Sequence, residues 1–333
     1  MLHRFFQFKV QKLMVDAGFT CPNRDGSKAR GGCAYCVNRS FIPRYLDSRD
    51  SIAEQIRKGK QFFKGRYPDM KYLAYFQAFT GTYARLDVLR SKYEEALNQP
   101  DVVGLVISTR PDCVGDEVLD YLASLARHTF VYIEYGIESV RDDVLQSINR
   151  QHTYADSIDA MRRTHERNLP MGAHYILGLP LSTQKVRNEY AESSQARNEY
   201  AKSTQGVDKK LTKPLLDELE AYYADEALEI SKAPLQSIKI HQLQVLRGAK
   251  ISHQLALCPE SFPLLDQETY LNVLAVFIAH LRPDIAIDRL VSQSPPQMLI
   301  APRWDLKPDA FALRLEEKMC EKGLYQGKYY REE

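Results

Sequence analysis

Three of the six cysteines in this chain lie within one segment of sixteen residues, a density that is typical of a metal site. The segment begins Cys21-Pro-Asn-Arg-Asp-Gly and ends Gly-Gly-Cys33-Ala-Tyr-Cys36. Three thiolates on one loop suit a soft metal ion or an iron–sulfur cluster. On a four-iron cluster, three protein ligands would leave one iron open to bind a further molecule. The two glycines before Cys33 would allow the backbone to approach such a cluster closely.

Zinc is the alternative metal, and free structural thiols are a third interpretation. Structural zinc is bound by four ligands, commonly two Cys-x-x-Cys pairs or cysteines with histidines. The chain has no second Cys-x-x-Cys pair, and the candidate fourth ligands His3 and His152 lie on other segments. The number of ligands therefore favours iron–sulfur over zinc and leaves both open. Cys113, Cys258 and Cys320 are isolated in the sequence, which argues against a second cluster.

The composition is that of an ordinary globular protein. The chain has 333 residues, of which 44% are hydrophobic, and its net charge is +2. A charge so nearly balanced gives no global attraction to nucleic acid, although a local basic patch is compatible with it. The apolar runs are too short to span a bilayer, and the N-terminus lacks the features of a secretion signal. We therefore expect a cytoplasmic protein without a membrane partner.

Alternating strand and helix patterns predict the fold class. The predicted strands are residues 9–17, 71–77, 102–108, 129–135, 170–177 and 237–245, and the predicted helices among them are 51–61, 86–97, 116–127, 140–147, 154–167 and 214–231. This alternation predicts an α/β fold with a parallel sheet covered by helices. The pattern alone leaves open a partial barrel of six strand–helix units or an open, doubly wound sheet.

Two regions stand apart from this alternation. A polar segment from about 181 to 213 contains a ten-residue sequence that occurs twice in tandem, over 187–206, and we interpret it as a tolerated surface insertion. Beyond residue 250, the sequence predicts a helix at 267–281, a β-like stretch at 285–291 and a final helix near 308–321.

Residues of types found in active sites follow the predicted strands at their carboxyl ends. They are Gln77, Thr80 and Gly81 after the second strand, Arg110 after the third, Glu138 and Ser139 after the fourth, His174, Ile176 and Gly178 on the fifth, and His241 on the sixth. Taken singly, each has a structural explanation, such as a turn glycine, a helix-start carboxylate or a histidine satisfied in the core. Their shared position favours function, because active sites of β/α barrels form at the carboxyl ends of the strands.

These segments together resemble the radical S-adenosylmethionine (SAM) superfamily, in which the commonest cysteine spacing is Cys-x3-Cys-x2-Cys. The eleven residues between Cys21 and Cys33 depart from that spacing. The lengthened gap resembles the YhcC-like group, which is related to the catalytic subunit of Elongator. The resemblance implies a partial (β/α)6 barrel of radical SAM type over residues 1–250, with a C-terminal α/β extension over 251–333 packed on it.

The same resemblance implies the cofactors and the residues that bind them. Cys21, Cys33 and Cys36 would hold a 4Fe–4S cluster. The predicted SAM contacts are Gln77, Thr80 and Gly81 at the methionyl amine, Arg110 at the carboxylate, Glu138 and Ser139 at the ribose or methionyl end, and Ile176 and Gly178 near the adenine. An electron donor such as flavodoxin or ferredoxin would reduce the cluster, and cleavage of SAM would then yield a 5′-deoxyadenosyl radical.

A tRNA substrate is the leading hypothesis, and it rests on the kinship with Elongator. One basic stretch is interleaved with aromatic residues and comprises Arg39, Arg44, Tyr45, Lys58, Lys60, Phe62, Phe63, Lys64, Arg66 and Tyr67. This mixture suits phosphate and base-stacking contacts, but an amphipathic helix with its aromatic residues in the core explains it equally well. Two rivals stay open: a radical SAM enzyme acting on a small metabolite or protein side chain, and a non-catalytic zinc-binding or interaction protein.

Overall fold

The computed structural model describes residues 2–65, 69–180, 212–257, 264–304 and 307–332. In chain order its strands are β1 (Val10–Val15), β2 (Lys71–Phe76), β3 (Val102–Thr109), β4 (Phe130–Glu138), β5 (Met171–Leu177), β6 (Ser237–Gln242), β7 (Val245–Leu246), β8 (Ala286–Arg289) and β9 (Leu299–Ala301). Seven of them form one parallel sheet that curls into a half-barrel, and β7 and β9 form a separate antiparallel pair. The tandem duplication, Arg66, Tyr67 and Cys258 lie outside the described residues.

The described residues also form helices, and the longer of these pack on the outer face of the sheet. The helices are α1 (Pro22–Asp25), α2 (Ile52–Phe63), α3 (Leu86–Leu97), α4 (Asp116–Ala126), α5 (Asp142–Ser147), α6 (Tyr154–Glu166), α7 (Lys213–Ser231), α8 (Lys250–Leu257), α9 (Gln267–His280) and α10 (Pro308–Glu321). Helix α2 begins after Ser51, whose side chain accepts a hydrogen bond from the Glu54 backbone. The sequence did not predict the short α1 or α8. In the described part of the chain, no helix is long and apolar enough to cross a membrane.

The order of the parallel strands decides between the two predicted architectures. The order is β1-β2-β3-β4-β5-β6-β8, so neighbours in the sheet follow one another along the chain. A doubly wound sheet would contain a point where this order reverses, and none occurs among the described strands. The predicted α/β partial barrel is therefore confirmed. It has one parallel strand more than the six predicted, because β8, from the predicted β-like stretch, pairs with β6.

Side chains of the strands alternate between a helix-covered face and the interior of the half-barrel. On β4, four apolar side chains join the main core beneath the helices: Val131, Ile133, Tyr135 and Ile137. The intervening Tyr132, Glu134 and Glu138 point the other way, into the interior. At the amino-terminal end, this interior is filled by an apolar cluster built from Tyr132 and its neighbours Leu73, Tyr75 and Val106, against which Leu2 and Phe6 pack. The cavity of the half-barrel therefore lies toward the carboxyl ends of the strands.

A buried carboxyl group sits where α7 meets the sheet. Glu226 accepts a hydrogen bond from the hydroxyl of Tyr175 on β5, and the Ser139 hydroxyl lies 3.4 Å from its Oε1. Burial raises the pKa of Glu226 to about 7, and the hydrogen bond from Tyr175 only partly offsets that effect. The native state therefore binds a proton at Glu226 that the unfolded chain has already released near neutral pH.

We expect the Glu226→Gln variant to lose part of the pH dependence of stability. Because the folded-state pKa is raised, the contribution of Glu226 falls as pH rises from the ordinary carboxyl range through about 7, by about 3 kcal/mol in the free energy of unfolding. Urea unfolding at about pH 5 and about pH 8, on either side of the folded-state pKa, would measure this change. If the free energy of unfolding changed with pH in parallel in the wild type and the variant, the raised pKa would be wrongly assigned to Glu226.

Candidate active site

A cavity of about 920 Å³ opens at the carboxyl ends of the strands. All three clustered cysteines line it, and so do residues that follow β2 and β3 and residues at the carboxyl ends of β4 and β5. The predicted gathering of these segments at one site is therefore present in the structure. We refer to this space as the site cavity.

The cysteine loop is folded around two tight backbone features. Cys21 precedes the single turn of α1, which has Pro22 at its first position, and the Cys21 carbonyl accepts hydrogen bonds from the Arg24 and Asp25 amides. Further along, Gly32 has a φ of +79°, and a Cβ there would lie 3.0 Å from the Arg24 guanidinium. The left-handed backbone conformation therefore favours glycine at position 32, and a side chain there would also displace the Arg24 guanidinium.

Cationic and amide side chains surround the sulfur atoms. Arg24 Nη2 lies 3.5 Å from the Sγ of Cys36, and Arg150 Nη1 lies 3.5 Å from the Sγ of Cys33. Asn23 Nδ2 is 3.6 Å from the same Cys33 sulfur. Burial and the neighbouring thiols raise the pKa of Cys36, whereas the hydrogen bond from Arg24 lowers it. Arginines of this kind stabilise thiolates, which are the form that binds metal.

The candidate fourth ligand for a zinc ion, His152, is engaged elsewhere. Among the described residues, no three His, Cys, Asp or Glu side chains are arranged to hold one metal ion. His152, a candidate fourth zinc ligand, accepts a hydrogen bond from Arg150 at Nε2 (2.9 Å), and its Nδ1 lies 3.0 Å from the Thr153 carbonyl oxygen. Both of its ring nitrogens are thus in use, and the His3 side chain is outside the described part. Three thiols around a cavity suit three different irons, each of which takes one cysteine.

Five of the eight predicted SAM contacts line the site cavity: Gln77, Thr80, Arg110, Glu138 and Ile176. Two of them carry a buried polar atom without a hydrogen-bond partner in the described structure, Thr80 Oγ1 and Arg110 Nη1. Unpaired buried polar atoms are costly and mark places where a ligand supplies the missing partner. The residues present therefore fit a polar cofactor next to the cysteines.

The other three predicted contacts lie outside the cavity lining. Gly81 holds the ends of β2 and β3 together, since its amide donates to the Ser108 carbonyl and a Cβ would lie 2.7 Å from that oxygen. Ser139 faces Glu226 on the helix-covered side. Gly178 has a φ of +92° and ends β5. Their positions support structural roles, and their contacts with SAM stay predictions.

The hydrogen bonds of Arg110 differ from those predicted for a residue that binds the SAM carboxylate. Its Nε and Nη2 form a two-bond pair with the Asp112 carboxylate (2.9 and 2.8 Å), and Nη2 also donates to the Arg150 carbonyl. The Nε and Nη2 atoms of Arg110, which were expected to bind a ligand carboxylate, are therefore already bonded to Asp112. Asp112 can reach them because it lies only two positions along the chain. One nitrogen, Nη1, is left for a ligand.

A buried charged network forms the floor of the site cavity. Glu134 accepts hydrogen bonds from Lys12 (2.8 Å), Tyr75 (2.6 Å) and Lys239 (2.5 Å), and its Oε2 lies 3.0 Å from His174 Nε2. Burial opposes ionisation of Glu134, but the charges of Lys239 and Lys12 outweigh it and hold its pKa well below the usual range. Burial lowers the pKa of Lys239 to about 8, so the lysine is still mainly protonated at neutral pH. We call these five residues the polar floor.

Sequence reasoning missed the side chains that contact the sulfur atoms. Asn23 and Arg24 lie inside the motif that begins at Cys21, so their proximity to the cysteines was a usable signal. Arg150 carried no such signal, because it is more than one hundred residues away in the chain. The basic and aromatic stretch is only partly a free surface. Lys58 pairs with Asp50 (2.6 Å), whereas Phe62 is 54% exposed.

Comparison with known proteins identifies similar chains. The family model described as the Radical SAM superfamily matches residues 23–192, and the model of the Radical_SAM C-terminal domain matches residues 235–321. Protein YhcC of Escherichia coli (strain K12) is 33% identical over 306 residues, which are 91% of this chain and 85% of YhcC. A tRNA uridine(34) acetyltransferase of Methanocaldococcus jannaschii is 27% identical over 84 residues, or 25% of this chain and 15% of that protein.

One solved structure shares the fold over nearly the whole chain. It is the archaeal Elp3 of Methanocaldococcus infernus with an N-terminal deletion. The superposition has a TM-score of 0.62 with 15% sequence identity, and it covers 96% of this chain and 64% of that one. At this identity, the similarity concerns the fold.

Proposed function

Because this chain belongs to the radical SAM superfamily, we propose that it is an enzyme that uses SAM-derived radical chemistry to modify a uridine of tRNA. The cofactors of the family are a 4Fe–4S cluster and SAM. When bound, they supply a 5′-deoxyadenosyl radical that removes a hydrogen atom from the substrate. The observation that carries the proposal is the convergence of three thiols and five predicted SAM-binding residues on one cavity.

The residues of this chain have separable tasks in that chemistry. Cys21, Cys33 and Cys36 would hold the cluster, while Arg24 and Arg150 orient the thiolates and reduce the repulsion between them. Thr80 Oγ1 and Arg110 Nη1 would bind polar groups of SAM, since both atoms are buried and unpaired in the described structure. Ile176 supplies an apolar wall to the cavity.

Support for tRNA comes from a relative and from the cavity mouth. The matching acetyltransferase of Methanocaldococcus jannaschii is named for tRNA uridine(34). At the rim of the site cavity, Phe41 and Phe79 are 41% and 38% exposed, and Arg39 is exposed in the same 3₁₀ turn as Phe41. Exposed aromatic rings next to a cation suit an unstacked base and its phosphate.

The enzyme proposal is tested by the product of SAM cleavage. Anaerobically reconstituted protein, reduced with dithionite in the presence of SAM, is expected to form 5′-deoxyadenosine. A fully clustered sample that yields none would refute the enzyme assignment. Zinc bound without iron would instead favour the non-catalytic alternative.

The substrate proposal is tested by nucleoside analysis. Deletion of the gene is expected to change one modified uridine in total tRNA, and the purified enzyme should restore it in vitro on tRNA from the deletion strain. Unchanged nucleosides, together with normal formation of 5′-deoxyadenosine, would exclude tRNA and leave a small metabolite or protein side chain as the substrate.

A further inference from the structure

One histidine lies between the polar floor and the predicted SAM-binding wall. His241 is on β6, where it pairs in register with Ile176 on β5, and both side chains line the site cavity. The next inward residue along β6 toward the floor is Lys239, which is bound to Glu134. Because the adenine of SAM is predicted to lie near Ile176, His241 occupies the place where a substrate would meet the adenosyl end of SAM.

His241 has hydrogen-bonding capacity to spare within the described part of the chain. There, neither of its ring nitrogens makes a hydrogen bond, and the His174 ring lies edge-on to it at 5.7 Å. Two neighbouring polar side chains are committed elsewhere: His174 is bonded to Glu134, and Gln242 exchanges two hydrogen bonds with the Ser292 backbone. The Arg289 side chain, on the adjacent β8, also lines the cavity. His241 is thus a neutral polar group of this wall that is available to a ligand.

The protonation state of His241 limits what it can bind. Burial, together with the positive charges of Arg289 and Lys239, lowers its pKa well below the usual range. A neutral imidazole carries one N–H donor and one nitrogen acceptor, whereas the protonated ring has donors only. A neutral His241 can therefore meet a hydrogen-bond acceptor at one ring nitrogen or a donor at the other, and a neutral ligand group that offers both suits it.

We propose that His241 binds the amide or imide edge of the substrate and so places the reacting carbon against SAM. In a uracil base, that edge is a ring carbonyl and the N3–H. The inference rests on the proposed function, and it adds the side of the cavity on which the base is held. The polar floor keeps this part of the wall rigid, because its other four members all bond to Glu134.

Two variants of His241 separate binding from folding. His241→Leu removes both hydrogen-bonding nitrogens, while His241→Gln keeps a neutral donor and acceptor. Against tRNA from the deletion strain, kcat/KM is expected to fall about 10- to 100-fold in His241→Leu and only about threefold in His241→Gln. Iron content should match the wild type in both, because the cluster is held by the cysteines and not by His241. His128→Leu, at an exposed site before β4, is the control variant.

Each possible result of this experiment either supports or overturns the inference about His241. A His241→Leu enzyme with wild-type kcat/KM on tRNA would overturn it, and so would loss of iron, which would indicate a role toward the cofactors. A His241→Gln enzyme as impaired as His241→Leu would also overturn it. A wild-type enzyme that cleaves SAM but leaves tRNA unchanged would refute the tRNA proposal itself, and the imide assignment with it. The wild-type control therefore distinguishes the two failures.

Discussion

Substitution of Cys33 by alanine is expected to abolish both cluster assembly and formation of 5′-deoxyadenosine. Cys33 is 5% exposed and is contacted at sulfur by Arg150 and Asn23, so no solvent ligand could readily replace it. With two thiolates left, the cluster would lose one of its three protein anchors, and an iron–sulfur cluster depends on these bonds. Three measurements would follow the loss: the iron–sulfur absorbance at about 400 nm, the iron content and the formation of 5′-deoxyadenosine.

Two other cysteines provide matched controls. Cys113 follows β3 but does not line the site cavity, and burial raises the pKa of its thiol to about 12, which disfavours metal binding. Cys320 is exposed near the end of α10. Alanine at either position should leave iron content and SAM cleavage unchanged. If Cys113→Ala lost the cluster while Cys33→Ala kept it, the assignment of ligands would be wrong.

Replacement of Glu134 by glutamine is expected to be the most destabilising substitution in the polar floor. Glutamine keeps the shape but removes the charge that balances Lys12 and Lys239 inside the half-barrel. Breaking a buried ion pair by neutralising one partner typically costs about 3–5 kcal/mol, because the other charge is left buried. Urea unfolding of the variant should show a loss of this order in the free energy of unfolding.

A second substitution tests whether the charge is the cause. In Glu134→Gln/Lys239→Met, one of the uncompensated lysines is removed, so the double variant should be more stable than Glu134→Gln alone. Glu54→Gln is the control, because Glu54 pairs with Arg57 on the exposed face of α2, where water screens the interaction. A loss of less than about 1 kcal/mol for Glu134→Gln would mean that the network contributes little to stability.

The secondary structure was largely predictable because apolar runs mark the central strands and periodic apolar residues mark the helices. The predicted strand at 102–108 and helix at 86–97 correspond to β3 and α3 nearly residue for residue. The seventh strand was harder to assign. β8 has only four residues and follows a loop, and its place beside β6 depends on a pairing that no local pattern contains.

The sequence identified the strand ends that form the site, but it did not identify which way each side chain there points. Sequence position identified the strand ends, and five of the eight proposed SAM contacts line the cavity. It could not tell which face a residue takes at the point where a strand ends, so Ser139, one position after the inward Glu138, turned out to face Glu226. The sequence also could not show that the Asp112 carboxylate binds Nε and Nη2 of Arg110.

The sequence by itself determined the chemistry at the three cysteines, since their types and spacing restrict the bound group to a soft metal or cluster and their surroundings resemble one superfamily. Only the tertiary structure decided that Arg24 and Arg150 lie at the sulfurs and that a charged network lies beneath the cavity. It also decided that the ring nitrogens of His241 make no hydrogen bond with the residues the structure describes. The physical reason is that thiolate chemistry is carried by the residues of one loop. The remaining features depend on contacts between strands far apart in the chain.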